Sequence, residues 1–155
     1  MTHPIGFDNG GYRRFGWVRS IAKFHVGTDI KCPLGTPVMA MAPGIVLRQT
    51  GQHSGYGSLN PSKPGGVIFI QHSKTISQYG HVQINRKIRP GEQVEEGQVI
   101  GSIAAFYDGT DMLPHLHFGI WKGLTLPSNG WGYVASSSKM AHWIDPLTWK
   151  YNNWH

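Results

Sequence analysis

The sequence predicts an all-β domain: an antiparallel, two-layer β-sandwich-like fold with long loops walling a groove. Three observations lead there. The 155 residues include 21 Gly and 10 Pro, so turns are frequent. Only 14% of residues are charged while 39% are apolar, a balance that favours a turn-rich β domain over a helical bundle. The apolar residues fall in short runs bounded by turn residues, without a helical period. Six Trp, six Tyr and six Phe supply ample packing material and exclude a disordered chain.

Residues 1–24 are rich in glycine and aromatics, as in Phe15-Gly16-Trp17-Val18-Arg19, and predict an irregular lead-in with one short strand. From His25 to Asp29 an extended segment is expected. Val26, Gly27, Thr28 and Ile30 are poor helix formers, and Cys32-Pro33 closes the stretch. Residues 35–48 predict two short strands about the Pro43-Gly44 turn. Residues 50–66 form a long polar loop, and a loop of that length predicts a groove wall.

Residues 67–72 are a strongly apolar strand, and residues 75–79 alternate as its hairpin partner, leading into Tyr79-Gly80-His81. Residues 88–103 place two glycine-centred turns between short apolar strands. Residues 94–101 are similar to the hairpins of biotinyl/lipoyl-type folds, without the turn-tip lysine that would carry a cofactor. A second loop at 107–114, a strand at 115–121 and a third loop at 122–141 follow. The tail Trp143-Ile144-Asp145-Pro146 packs back through its aromatics. No repeat or linker divides the chain, so one domain over 1–155 is expected.

A formal charge of +6 points to a polyanionic partner or surface, such as nucleic acid or an anionic cell wall. The basic residues are scattered, with Arg13-Arg14 and Arg86-Lys87 the densest pairs, and this argues against nucleic acid as the partner. The single cysteine, Cys32, excludes an internal disulfide and a cysteine-based metal site. Its odd spacing from Asp29 turns it away from that carboxylate, as a small buried hydrophobe. No apolar run approaches the ~18 residues of a membrane span. The first residues lack the basic and apolar regions of a secretory signal.

The chemistry is carried by Pro114-His115-Leu116-His117-Phe118 and by Phe24-His25-Val26-Gly27-Thr28-Asp29. Side chains alternate along an extended strand, so His115 and His117 share one face while Leu116 and Phe118 face a core. His25 and Asp29, four apart, share a face in the same way. Imidazoles and one carboxylate brought together suit a catalytic zinc with one coordination position left for water. His81 follows the strand of residues 75–79 as a further candidate. Of the nine histidines, His3, His72, His142 and His155 are expected at the surface or hydrogen-bonded in the core. His53, in the long loop, is a candidate substrate contact.

Taken together, His25-x-x-x-Asp29, Tyr79-Gly80-His81 and His115-Leu116-His117 resemble, in order, the three motifs of the lysostaphin/LytM-type zinc metallopeptidases. Those enzymes cut peptide bridges in bacterial peptidoglycan. The resemblance runs from Phe15-Gly16-Trp17 to about Asp145-Pro146. It implies a duplicated hybrid motif fold and one Zn2+ held by His25, Asp29 and His117, with His81 and His115 as the non-ligand catalytic pair. Zinc-activated water is then the nucleophile, assisted by that pair, with His115 favoured as general base. Arg19, which follows Phe15-Gly16-Trp17, and Tyr79 join His53 as candidate substrate-binding residues.

A monomer is expected, acting on the cell wall in an extracellular, cell-envelope or phage-associated setting. The chain departs from the family pattern before His115, where 107–113 is bulkier and more acidic, and in the length of the 50–66 loop. Both departures fall at expected groove walls and bear on which bond is cut. No Glu lies in a His-Glu-x-x-His helix, which excludes thermolysin-like chemistry. A non-catalytic cell-wall or protein-binding module on the same fold is the alternative. A D-Ala peptidase of the VanX type is disfavoured by the short spacing of His25 and Asp29.

Overall fold

The computed structural model describes residues 15, 16, 18–20, 23–50, 65–104, 114–126 and 132–149. Twelve strands and two short 3-10 turns make up the described residues, with no α-helix among them. The strands are β1 Val18–Ser20, β2 Lys23–His25, β3 Thr28–Lys31, β4 Pro37–Met39, β5 Gly44–Thr50 and β6 Gly66–Gln71. They continue as β7 Thr75–Ile84, β8 Gln93–Val94, β9 Val99–Ile103, β10 His115–Lys122, β11 Tyr133–Val134 and β12 Trp143–Ile144. All pairings are antiparallel. The expected all-β antiparallel class is the observed one.

Nine strands form a large sheet along β12-β10-β7-β6-β5-β8, with β3 on β10, and β9 joining β7 to β4. A second sheet has the order β1-β2-β11. The hairpin of β6 and β7 turns at residues 72–74, as the apolar run and its alternating partner suggested, but β7 runs on to Ile84. The strands flanking Pro43-Gly44 are present and do not pair with each other: β4 pairs with β9, and β5 with β6 and β8. Likewise β8 and β9 flank the Gly97 turn without forming a ladder together. The biotinyl/lipoyl-type hairpin is therefore not seen as a paired unit.

Both faces of the large sheet are apolar, which explains why residues 67–70 read as one continuous apolar run. Ile68 and Ile70 join one cluster with Val38, Tyr79, Ile100, Leu116, Phe118 and Ile120. Val67 and Phe69 join another with Val26, Ile76, Val134 and Trp143. The tail packs back as expected, β12 extending β10 and Trp143 entering the second cluster. Fully burying residues of this size stabilises by about 1.5–3 kcal/mol each, enough to fix the register on which the site depends.

A candidate metal centre at the β2, β3 and β10 junction

β10 alternates as its sequence demands. Leu116, Phe118 and Ile120 enter the first apolar cluster, so His115 and His117 share the opposite face. Register then does the rest: Asp29 of β3 stands beside His117, and Gly80 of β7 stands on its other side. His25 ends β2, and two residues, Val26 and Gly27, carry the chain across to β3. Gly27 has to be small. A Cβ there would lie 2.6 Å from both His117 Nε2 and the Phe118 carbonyl oxygen.

Three donor atoms converge at this junction. His117 Nδ1 lies 3.0 Å from Asp29 Oδ1 and 3.0 Å from His25 Nε2, and His25 Nε2 lies 3.2 Å from Asp29 Oδ1. Ligands about 2.0–2.1 Å from a tetrahedral zinc stand about 3.3 Å apart. The observed triangle is within a few tenths of an ångström of that. Its chemistry, two imidazole nitrogens and one carboxylate oxygen, is a zinc donor set that leaves a fourth position open. The residues present therefore fit the ion.

Burial alone would push the Asp29 carboxyl up. Hydrogen bonds with His117 and His25 and the charge of both rings outweigh it and hold the carboxyl well below the ordinary range. Burial lowers the His117 imidazole despite its bond to Asp29, with the neighbouring His25 acting in the same direction. A neutral imidazole is the form that binds metal.

His81 and His115 lie beside this triangle. Their ring centroids are 4.7 Å apart at 67°, and His115 Nε2 is 3.6 Å from Asp29 Oδ2. His81 reaches the site through its backbone. Val67 pairs with Gly80 and Gly66 with Val82, so His81 is an extra residue, a bulge in β7. It has φ of 63°, the one non-glycine with positive φ among the described residues. Its carbonyl accepts from the Ala104 amide at 2.9 Å.

Without the bulge, His81 would share the face of Tyr79, which packs on Phe118 in the first apolar cluster. The bulge turns it to the face of His115. Burial and the adjacent His115 ring lower its pKa well below the ordinary value.

Tyr79 itself corrects an expectation. It is fully buried, and its hydroxyl accepts the Met41 amide at 2.9 Å, so it holds the core rather than a substrate. Burial pushes its hydroxyl up to about 12. Arg19 lies on β1, but its side chain is outside what the structure describes, as is the whole of His53. Residues 51–64 of the 50–66 loop and residues 107–113, both expected as groove walls, fall outside it too. Of the other histidines, His72 is buried, with one ring nitrogen bonded to the Pro43 carbonyl and the other to the Ser77 hydroxyl. His142 is exposed and stacked on Trp121. Both are the surface or core residues expected.

Two contributors escaped the sequence. Gly27 was legible as a poor helix former but not as the seat of the His117 ring. Tyr133 lies in the third expected loop, where a two-residue strand has no periodicity to reveal it; it pairs with His25 across β2 and β11.

Comparison with known proteins decides the family. The profile of Peptidase family M23 matches residues 23–130, which include the three convergent residues and both neighbouring histidines. The chain belongs to peptidase family M23. It is 37% identical over 123 residues to the peptidoglycan DD-endopeptidase ShyC of Vibrio cholerae, covering 76% of this chain and 26% of that protein. It is 30% identical over 128 residues to the L-Ala--D-Glu endopeptidase of Bacillus subtilis, covering 77% of this chain and 36% of that protein. The chain thus spans about a quarter to a third of the length of these relatives. The catalytic domain of lysostaphin from Staphylococcus simulans shares the fold, with a TM-score of 0.62 at 22% identity over 88% of this chain and 86% of that one. No helix among the described residues is long and apolar enough to cross a membrane.

Proposed function

We propose that this M23 chain is a zinc-dependent endopeptidase, a single metallopeptidase domain that hydrolyses peptide cross-links or cross-bridges of bacterial peptidoglycan. The observation that carries the reading is the triangle of His25 Nε2, Asp29 Oδ1 and His117 Nδ1, with sides of 3.0–3.2 Å. These three residues would hold one zinc ion. When bound, the ion supplies Lewis acidity and a lowered pKa for water near neutral pH.

The remaining work belongs to the protein. His115, facing Asp29 and His81, accepts the proton of the attacking water and passes it to the leaving amine. His81, held by the β7 bulge, orients that water or stabilises the developing oxyanion. The basic balance of the chain suits an anionic cell wall. It acts there as a monomer, in the envelope or carried by a phage. Two relatives are named for cuts at different bonds, one as a DD-endopeptidase and one as an L-Ala--D-Glu endopeptidase.

Defined sacculi from Gram-positive and Gram-negative cells provide the test. The protein is expected to release new peptide ends, to stop in a chelator and to recover when zinc is returned, while His117→Ala neither binds zinc nor cleaves. If it adheres to sacculi but releases no ends under any metal condition, the non-catalytic binding module is the correct description.

A further inference from the structure

Beyond the metal triangle and the histidine pair, we propose that Tyr133 is a positioning residue that fixes the ring of His25. The inference rests on the metal-site reading above. Tyr133 lies outside the span matched by the family profile, which ends at residue 130. It comes from the segment after β10, which folds back so that β11 becomes the third strand of the smaller sheet.

The register puts Tyr133 opposite His25, and Val134 opposite Phe24. The tyrosine and imidazole centroids are 5.1 Å apart at 44°, and His25 is 1% exposed. The His25 and His117 ring centroids are 4.8 Å apart at 78°, an edge-on arrangement. The imidazole therefore contacts two rings. Its Nε2 already points at His117 and Asp29.

The backbone is held as closely. The His25 carbonyl accepts from the Gly16 amide at 2.8 Å, and the Val26 amide donates to the Gly132 carbonyl at 3.0 Å. Val134 and Met140 anchor the same segment in the second apolar cluster. With the backbone pinned, the remaining freedom of His25 is rotation of its ring, a broad and soft torsion. Tyr133 restricts that rotation. Groups behind a metal ligand that orient it typically change metal affinity 10–100-fold when removed. A ring acting by packing belongs at the low end, about tenfold.

The experiment is zinc affinity by chelator competition, with thermal unfolding of the zinc-free protein as the measure of fold. Tyr133→Phe keeps the ring and is expected to bind within about twofold of the parent. Tyr133→Ala and Tyr133→Leu are expected to bind about tenfold more weakly. Val134→Ala, on the same strand but facing the apolar cluster, lowers unfolding temperature without changing zinc affinity. Equal affinity in Tyr133→Ala and the parent overturns the proposal. So does a loss in Val134→Ala matching that in Tyr133→Ala, since the effect is then one of fold alone. If Tyr133→Phe loses as much as Tyr133→Ala, the hydroxyl rather than the ring is responsible and the proposal fails as stated. A parent protein that takes up no zinc sinks the metal reading itself, and this proposal with it.

Discussion

The two faces of the β3–β10 ladder bury their side chains by opposite means. One face carries Ile30, Cys32, Leu116 and Phe118, packed in the first apolar cluster. The other carries Asp29, His115 and His117, all 1–2% exposed. An apolar face gains from leaving water. A face of imidazoles and a carboxylate loses solvation and recovers it only by mutual bonding or by a metal. The same few residues thus build a core and a candidate metal centre, separated by nothing more than strand alternation. The polar face is the costly one, and that cost marks it as the candidate functional site.

The largest expected effect comes from removing the proposed proton-handling pair, His81 and His115, without touching the triangle. His81→Ala or His115→Ala should keep stoichiometric zinc while losing about 10²–10⁴-fold in rate. Single-turnover cleavage alongside metal analysis checks this, and zinc loss in either variant would dissolve the distinction between ligand and proton carrier. The bulge adds a second reading of His81. Asn tolerates a positive φ and a β-branched residue does not, so His81→Val should be less stable than His81→Asn by about 1–2 kcal/mol at equally poor activity. Equal stabilities would mean that β7 relaxes the bulge once the imidazole is gone.

On the opposite face, Leu116→Ala should cost about 2–5 kcal/mol of unfolding free energy, because Leu116 is fully buried between the two histidines in sequence. Zinc stoichiometry is expected to survive. A loss of metal in step with stability would show that the two faces are one cooperative unit rather than separable ones.

Much of this was open to inspection of the sequence, and what was not has a physical cause. Even spacing in His115-x-His117 and His25-x-x-x-Asp29 announced shared faces, because alternation is a local property of extended chain. Which strands pair is not local, and so the partners of β4, β8 and β9 were hidden behind turns that looked like hairpins. Tyr79 and His81, two apart, should share a face; an inserted residue with left-handed backbone separates them, and no pattern of side chains announces such a residue when it is not glycine. The family resemblance supplied the division of labour between His115 and His117, which spacing alone left open.

Gly27 lies where the two halves of the site meet, and its effect should be smaller than loss of a catalytic group. A methyl at this position meets the Phe118 carbonyl, which is backbone held in the ladder, and the His117 ring. Neither can move without disturbing the triangle. Gly27→Ala should therefore cost about 1–3 kcal/mol in stability and about tenfold or more in zinc affinity. Retained affinity in a destabilised variant would mean that the ladder, not the ring, accommodates the methyl.

The smallest effect expected is at Cys32, and it tests whether the apolar face is as dry as its packing implies. The thiol donates to the Ile30 carbonyl at 3.4 Å, and burial pushes its pKa up to about 11. Below about pH 9, folded and unfolded chains both keep the proton, and the thiol contributes no pH dependence. Above it the unfolded chain releases its proton first, so stability falls as pH rises toward 11. Cys32→Ala should flatten that alkaline decline without altering zinc binding. A thiol reagent at pH 8.5 should modify the native protein slowly and the denatured protein at once. Rapid labelling of the folded chain would place water at Cys32, and the two faces of the ladder would then differ in residue type but not in dryness.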